Sequence, residues 1–280
     1  MKIKELEQIA INKLKEVNID EARLKAKMAM SYLIDKPKEY LINHAEENLD
    51  EKQVNDILNV IDKLAKKIPI EYITYRREFM KIEFYVNEDV LIPRQDTEIL
   101  VEEVMKRYKQ GKILDLCTGS GAIAVSLAKY LPKTIVYASD VSKKALDVAK
   151  KNAIDNDVKI SFIQSDLFEN INESDFDVIV SNPPYIETAV IQTLQDEVKK
   201  EPILALDGGV DGLDFYRKII ETAPVHLKQG GTLAFEIGYN QAEAVCNLLK
   251  TNGSYNNIEV IKDLSGNDRV IIAKLISITV

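Results

Sequence analysis

The chain is poor in the residues that build cross-links and metal centres. Its 280 residues include two cysteines, Cys117 and Cys246, and two histidines, His44 and His226. Two cysteines are too few for a disulfide framework and fit a reducing compartment. The histidines lie far apart in sequence, without Cys or carboxylate partners at ligand spacing, so no metal site is expected. Long apolar runs are missing as well. None approaches the roughly 20 residues of a membrane span, and the opening Met1-Lys-Ile-Lys-Glu-Leu-Glu7 alternates charge where a signal peptide carries an apolar core. The expectation is a cytoplasmic protein with no membrane partner. Basic residues are in deficit, 37 Lys and Arg against 45 Asp and Glu, for a net charge of −8. Phosphate contacts need clustered Lys and Arg, so this balance argues against a general polyanion binder and predicts no direct nucleic-acid partner.

What the chain does have is core. A hydrophobic content of 46% over this length supports one large α/β domain and a smaller one. From Met1 to about Lys67 the pattern is helical and contains no glycine. Asp20 and Asp50 stand where helices need N-caps, Gln53 completes a capping-box pair with Asp50, and Val54, Ile57, Leu58, Ile61 and Leu64 make one apolar stripe. Residues 78–91 turn β-favouring around Asn87-Glu-Asp89, which predicts a hairpin between domains. Pro93 stops that segment. Asp96 is placed to cap a helix whose buried face carries Ile99, Leu100, Val104, Met105 and Tyr108. The expected organisation is a helical domain over 1–76, a β-hairpin linker over 77–92, and a larger domain over 93–280.

After Gly111 short apolar runs alternate with amphipathic helices. Ile113–Leu116, Ile135–Ser139, Ile160–Gln164, Val178–Ser181 and Thr232–Glu236 read as strands of a parallel, doubly wound sheet. The end differs: Ile258–Leu264 and Arg269–Ala273 are joined by a turn short enough for a hairpin, hence for an antiparallel pair.

Two motifs carry chemistry. The first is Asp115-Leu-Cys-Thr-Gly-Ser-Gly-Ala-Ile-Ala124, where Gly119 and Gly121 allow a sharp turn and close approach of a ligand. Asp140 follows at a strand end about 20 residues on, where its carboxylate can accept from both hydroxyls of a ribose. Cys117 reads as a small hydrophobe lining the turn. After the next strand, Asp166, Leu167 and Phe168 are in a position to meet an adenine, the carboxylate accepting from its amine and the ring covering its face. This fingerprint fits NAD or S-adenosylmethionine equally.

The second motif, Ser181-Asn-Pro-Pro-Tyr185, follows the strand Phe176–Val180. An amide nitrogen is a poor nucleophile because its lone pair is delocalised into the carbonyl. If the side-chain oxygen of Asn182 and the backbone carbonyl of Pro183 each accept one N–H of a planar NH2 group, the lone pair can be aimed at a methyl donor. The prolines hold the carbonyl directions, and Tyr185 can stack on the plane. A nicotinamide dehydrogenase leaves this motif unexplained. A nucleic-acid adenine or cytosine amino-methyltransferase shares the logic but needs a basic groove that the chain does not supply. Glu236 and Arg94 fit a supporting role, which burial or an ion pair explains equally well.

Asn182-Pro-Pro-Tyr185 resembles the acceptor motif of S-adenosylmethionine-dependent methyltransferases acting on planar NH2 groups. Further stretches are similar to the HemK/PrmC family of peptide-chain-release-factor glutamine methyltransferases: residues 92–98, 201–213, Phe235-Glu-Ile-Gly238 with Gln241, and 263–269. The resemblance covers essentially the whole chain. It implies a Rossmann-like fold with a mostly parallel seven-stranded sheet ending in an antiparallel hairpin, preceded by a small helical domain whose part is either packing alone or docking of the release factor. It implies that Cys117, Thr118, Gly119, Ser120, Gly121, Asp140, Phe168 and Asn182 contact S-adenosylmethionine, which leaves as S-adenosylhomocysteine, with no metal. Asn182, Pro183, Pro184 and Tyr185 would hold the substrate, with Asn182, Pro183 and Tyr185 serving catalysis. The implied reaction is N5-methylation of the glutamine in the Gly-Gly-Gln motif of class I release factors; a monomer is the default expectation, on which the sequence is silent. The chain departs from the family pattern at Gln95, where proline is usual, at Tyr75, where glycine is common, and at Phe168, where some relatives carry tryptophan.

Overall fold

The computed structural model describes residues 1–277 and divides into two compact units. One unit comprises Met1–Arg76 with Gln195–Lys200, the other Arg77–Leu194 with Glu201–Val280.

The first unit is all helical: α1 (Ile3–Glu16), α2 (Ala22–Ile34), α3 (Lys38–Asn43), α4 (Glu51–Ala65) and α5 (Ile70–Thr74). Its core joins Ile3, Leu6 and Leu14 of α1 to Met30 of α2 and Ile57, Ile61 and Leu64 of α4, each at most 1% exposed. Asp50 caps α4 as expected: its Oδ1 accepts from the Gln53 N–H at 2.7 Å, and the Gln53 side chain accepts from the Asp50 N–H at 3.1 Å. Asp20 caps nothing. The residue before α2 is Glu21 in the left-handed region, φ 53°, without a side-chain cap. The segment Gln195–Lys200 belongs with these helices, where Lys25 pairs with Glu197 at 2.6 Å.

In the second unit β1 (Arg77–Phe79) and β2 (Ile82–Phe84) form a hairpin. Its turn is Met80-Lys81, both at positive φ, and not Asn87-Glu-Asp89. Two consecutive left-handed residues match the twist of the flanking strands. The Asn87 side chain instead closes a local turn by accepting from the Asp89 N–H. Helix α6 (Asp96–Arg107) follows. Asp96 is its first residue and not its cap; Gln95 precedes it without a side-chain bond.

The remaining strands make one sheet: β3 (Gly111–Leu116), β4 (Thr134–Asp140), β5 (Ile160–Gln164), β6 (Phe176–Ser181), β7 (Leu227–Glu236), β8 (Tyr255–Lys262) and β9 (Asp268–Leu275), in the order β5-β4-β3-β6-β7-β9-β8. Strands β3 to β7 are parallel; β9 enters between β7 and β8, antiparallel to both. Helices α7 (Ala122–Tyr130), α8 (Lys143–Asp155), α9 (Asp214–Thr222) and α10 (Ala242–Asn252) complete the unit.

Alternation along the strands builds two cores. Leu114, Ile179, Leu233, Phe235 and Ile271 pack with residues of α9 and α10, whereas Ile113, Val178, Val180, Ala234 and Ile272 pack with α6, α7 and the hairpin. Strand order reverses between β3 and β6. Open α/β sheets bind ligands outside the carboxyl ends of the strands at such a point. No helix among the described residues is long and apolar enough to cross a membrane.

Candidate active site

At the carboxyl end of β3 the chain passes through Cys117 (φ 60°), Gly119 (φ 55°) and Gly121 (φ 80°) before α7 begins. The backbone of Gly119 is tied to β4: its N–H donates to Asp140 Oδ2 at 2.9 Å, while Asp140 Oδ1 accepts from the Ser142 N–H at 2.9 Å. Burial lifts the Asp140 carboxyl above its usual range, and these backbone bonds oppose that shift. Each oxygen keeps a lone pair for a ligand hydroxyl. A Cβ added to Gly119 would meet nothing within 4 Å, so the turn opens onto free space there.

That space is a cavity of about 750 Å³ counted to its open mouth, a size that suits a nucleotide-like ligand. Cys117 and Gly119 form one side, with Asp140 at the end of β4, Asp166 after β5, and Asn182 and Pro184 after β6. The structure thus brings seven of the sequence-predicted residues, Cys117, Gly119, Asp140, Asp166, Leu167, Asn182 and Pro184, around a single hollow.

Others lie elsewhere. Thr118 is buried, its hydroxyl donating to Asp115 Oδ2 at 2.6 Å. The Ser120 carbonyl accepts from Asn152 Nδ2 at 2.8 Å, and Gly121 packs against Ala149 of α8, whose Cβ lies 3.0 Å from where a Gly121 Cβ would stand. These residues shape the turn from behind. Phe168 does not line the cavity; its ring stacks on His226 at 4.7 Å, following Leu167 at φ 48°. The ring that does line it is Phe215 of α9, beside Pro202, Leu204 and Ala205. No motif spacing in the sequence pointed to Phe215.

Asp115 opens the glycine motif without a role read from the sequence. It is wholly buried; Oδ2 accepts from Thr118 and from the Ala124 N–H, and Oδ1 has no hydrogen-bond partner among the described residues. Burial first, and the Asp140 charge in addition, push its carboxyl up to about 7. The Cys117 thiol is likewise pushed up, chiefly by burial, which leaves it an unreactive hydrophobe.

Beyond the cavity, the Asn182-Pro-Pro-Tyr185 segment is braced on several sides. Ser181 Oγ donates to the Leu116 carbonyl at 2.8 Å, which pins the end of β6 to β3. Gln241 Nε2 donates to the Tyr185 carbonyl at 2.9 Å and to that of Gly212 at 3.2 Å. Gly208 backs onto the same stretch so closely that a Cβ there would come within 2.7 Å of Tyr185 Cα. Asn182 Nδ2 donates to Thr97 Oγ1 at 3.3 Å, and the Tyr185 hydroxyl donates to Glu236 Oε1 at 3.4 Å. Burial raises the Tyr185 phenol, so the hydroxyl keeps its proton.

Behind these groups lies a charged cluster. Arg269 pairs with Asp96 at 3.3 Å and Asp263 at 3.2 Å and donates to the Ile237 carbonyl. Arg94 pairs with Glu201, whose second oxygen accepts from the Ile92 N–H at 3.0 Å. Both are structural ion pairs as well as neighbours of the site. Among the described residues no group of three or more His, Cys, Asp or Glu side chains could hold a metal ion.

The arrangement is a nucleotide-sized pocket that opens beside the braced Asn182-Pro-Pro-Tyr185 segment. A family model described as PrmC N-terminal domain matches residues 5–74, and one described as methyltransferase small domain matches residues 94–201. The chain is 42% identical to a release factor glutamine methyltransferase of Clostridium acetobutylicum, over 98% of each chain. It is 40% identical to one of Moorella thermoacetica, over 94% of this chain and 95% of that one. The fold is shared with a methyltransferase from Pyrococcus furiosus, at a TM-score of 0.53 and 21% identity over 71% of this chain and 91% of that one. On full-length identity at this level, the chain belongs to the release factor glutamine methyltransferase family.

Proposed function

We propose that the protein transfers a methyl group from S-adenosylmethionine to the side-chain nitrogen, N5, of the glutamine in the Gly-Gly-Gln motif of class I release factors. The observation that carries this reading is the position of Asn182: it lines the nucleotide-sized cavity and also opens the braced Asn-Pro-Pro-Tyr segment. Its family membership supports the choice of glutamine over a nucleobase.

The pocket residues suit the methyl donor. Asp140 has lone pairs for the two ribose hydroxyls, the Gly119 turn leaves room beside them, and Phe215 with Leu204 offers an apolar wall. When bound, S-adenosylmethionine supplies an electrophilic methyl on a sulfonium. The protein's own task is positioning. Asn182 Oδ1 and the Pro183 carbonyl each accept one N–H of the glutamine amide, which leaves the nitrogen lone pair facing the cavity. Tyr185, a neutral phenol whose hydroxyl is held by Glu236, covers the amide plane. In transfer the nitrogen lone pair forms the N–C bond, the S–C electron pair stays on the departing sulfur, and the nitrogen releases one proton to solvent water. The helical unit docks the release factor, and the enzyme works as a monomer in the cytoplasm, where translation terminates.

The test is incubation of the protein with labelled S-adenosylmethionine and a purified release factor. Label on the wild-type factor and none on a Gln→Ala acceptor supports the reading. Label on both acceptors, or on neither, refutes it.

A further inference from the structure

Two of the family-like stretches, 201–213 and Phe235-Glu-Ile-Gly238 with Gln241, meet at the acceptor segment through one side chain. Gln241, directly before α10, is 8% exposed. Its Oε1 accepts from the Gly238 N–H at 2.9 Å, and its Nε2 donates to the Tyr185 carbonyl at 2.9 Å and to the Gly212 carbonyl at 3.2 Å. One amide therefore bonds three separate stretches of backbone: the turn after β7, the loop before α9, and the last residue of Asn182-Pro-Pro-Tyr185.

The orientation of that amide has no alternative. A side-chain amide offers two N–H donors at one end and lone pairs at the other. Two carbonyls and one N–H face it, so Nε2 meets the carbonyls and Oε1 the N–H. The Gln241 N–H also donates to the Gly238 carbonyl at 2.9 Å, which fixes the residue that presents the amide. Two glycines leave room for the side chain. A Cβ on Gly212 would lie 2.7 Å from Nε2 and closer still to the Tyr185 oxygen, and one on Gly238 would lie 2.9 Å from Oε1.

A hold on the Tyr185 carbonyl reaches back to Pro183. Between β6 and Tyr185 lie Asn182 and two prolines whose rings set φ. The upstream end of this stretch is held in the sheet, where Ser181 pairs with Leu116 and Phe235. Its downstream end is held at the Tyr185–Ile186 peptide: Gln241 bonds the carbonyl, and the Ile186 N–H donates to the Leu206 carbonyl at 3.0 Å. A short, stiff segment held at both ends has one course, and that course sets where the Pro183 carbonyl points. Without Gln241 the peptide keeps the Leu206 bond but loses the opposing one, so it can tilt, and the stiff segment carries the tilt back to Pro183 and Asn182.

We propose that Gln241 is a positioning residue for methyl transfer: by holding the Tyr185 carbonyl it sets the direction in which the Asn182 side chain and the Pro183 carbonyl meet the substrate amide. The proposal rests on the acceptor roles given to Asn182 and Pro183 under the proposed function. It extends them to a residue that does not line the cavity and acts through the segment alone.

Two variants of similar length separate positioning from packing. Gln241→Glu fills the same space and keeps an acceptor for the Gly238 N–H, but its carboxylate offers no donor, and even protonated it has a single O–H for two carbonyls. Gln241→Met loses all three bonds. At pH 8 each should lower kcat for release-factor methylation at least about tenfold, on the scale that a misplacement of about 1 Å costs, while the dissociation constant for S-adenosylmethionine stays within about threefold of wild type. A role limited to packing, or to the turn after β7, predicts a Glu variant with wild-type kcat and at most a lower melting temperature. The second readout needs no methyl acceptor. The Asn182 side-chain amide is followed by NMR in the protein alone, and its resonances should move in both variants, while the Gly119 N–H in the glycine turn stays in place. Asn182 resonances that do not move overturn the proposal whatever the activity. So does a Gln241→Glu enzyme with kcat within about threefold of wild type. Either variant decides by itself if the other fails to fold. A wild type that transfers no methyl to a release factor refutes the proposed function alone, and the Asn182 resonances then decide whether Gln241 sets the segment.

Discussion

Asp115→Asn should change how stability depends on pH, by an amount that follows from burial. Asp115 is wholly buried, and its carboxyl stands at about 7 against an ordinary value of 3.8. Between those values the folded chain holds a proton that the unfolded chain has released, so stability falls as pH rises, and the loss is complete above about 7. Each pH unit contributes about 1.4 kcal/mol. The slope halves as pH reaches the folded value, so from pH 5 to pH 7 the loss from this one group is about 2 kcal/mol. Asparagine cannot ionise, and it mimics the neutral acid. Its NH2 occupies the place of an oxygen that has no partner, a constant cost of about 1–3 kcal/mol that shifts the whole curve without bending it. Glu236 contributes a similar slope to both proteins, so their difference isolates Asp115. Urea unfolding at pH 5, 6, 7 and 8 measures it. The variant should gain about 2 kcal/mol on wild type between pH 5 and pH 7, and little more by pH 8. A difference that stays constant across that range refutes the reasoning.

Three further outcomes follow from the site geometry. Asp140→Ala should raise the dissociation constant for S-adenosylmethionine about 100-fold in calorimetry, because two charge-assisted bonds to hydroxyls are lost, while the turn remains anchored by the Thr118 N–H to the Ser139 carbonyl at 2.9 Å. Tyr185→Ala should raise KM for the release factor about tenfold or more in steady-state methyl transfer, with cofactor affinity within about threefold of wild type. Gly208→Ala should impair transfer and lower the melting temperature by several degrees, since the new methyl group comes within 2.7 Å of Tyr185 Cα.

The sheet was legible because its strands are short apolar runs bounded by turns, and Ile160–Gln164 was located to the residue. The antiparallel finish was legible from the brief Ser265–Asp268 turn. Its insertion as β9 between β7 and β8 was not, since hairpin length says nothing about which strand joins the sheet. Boundaries erred where a polar residue had two uses. Asp96 has the chemistry of a cap, but Arg269, distant in sequence, draws it into an ion pair. The Met80-Lys81 turn was missed because neither residue type favours the left-handed region that the hairpin imposes on both. In the candidate site, Cys117, Gly119, Asp140, Asn182 and Pro184 fell around one cavity and Glu236 lies against Tyr185, whereas Phe215 comes from a helix whose proximity only the folded chain reveals. Phe168 was assigned from its place after a strand, and its ring instead found His226, a partner 58 residues away that no local pattern specifies.

The central claim is that Asn182 activates a glutamine amide by orientation. Asn182→Ala measures it most directly, with methyl transfer to the release-factor glutamine read by peptide mass mapping and cofactor affinity read in parallel. Transfer should drop by about 1,000-fold or more while S-adenosylmethionine binding weakens by less than about tenfold. Near-wild-type turnover in that variant would contradict the account.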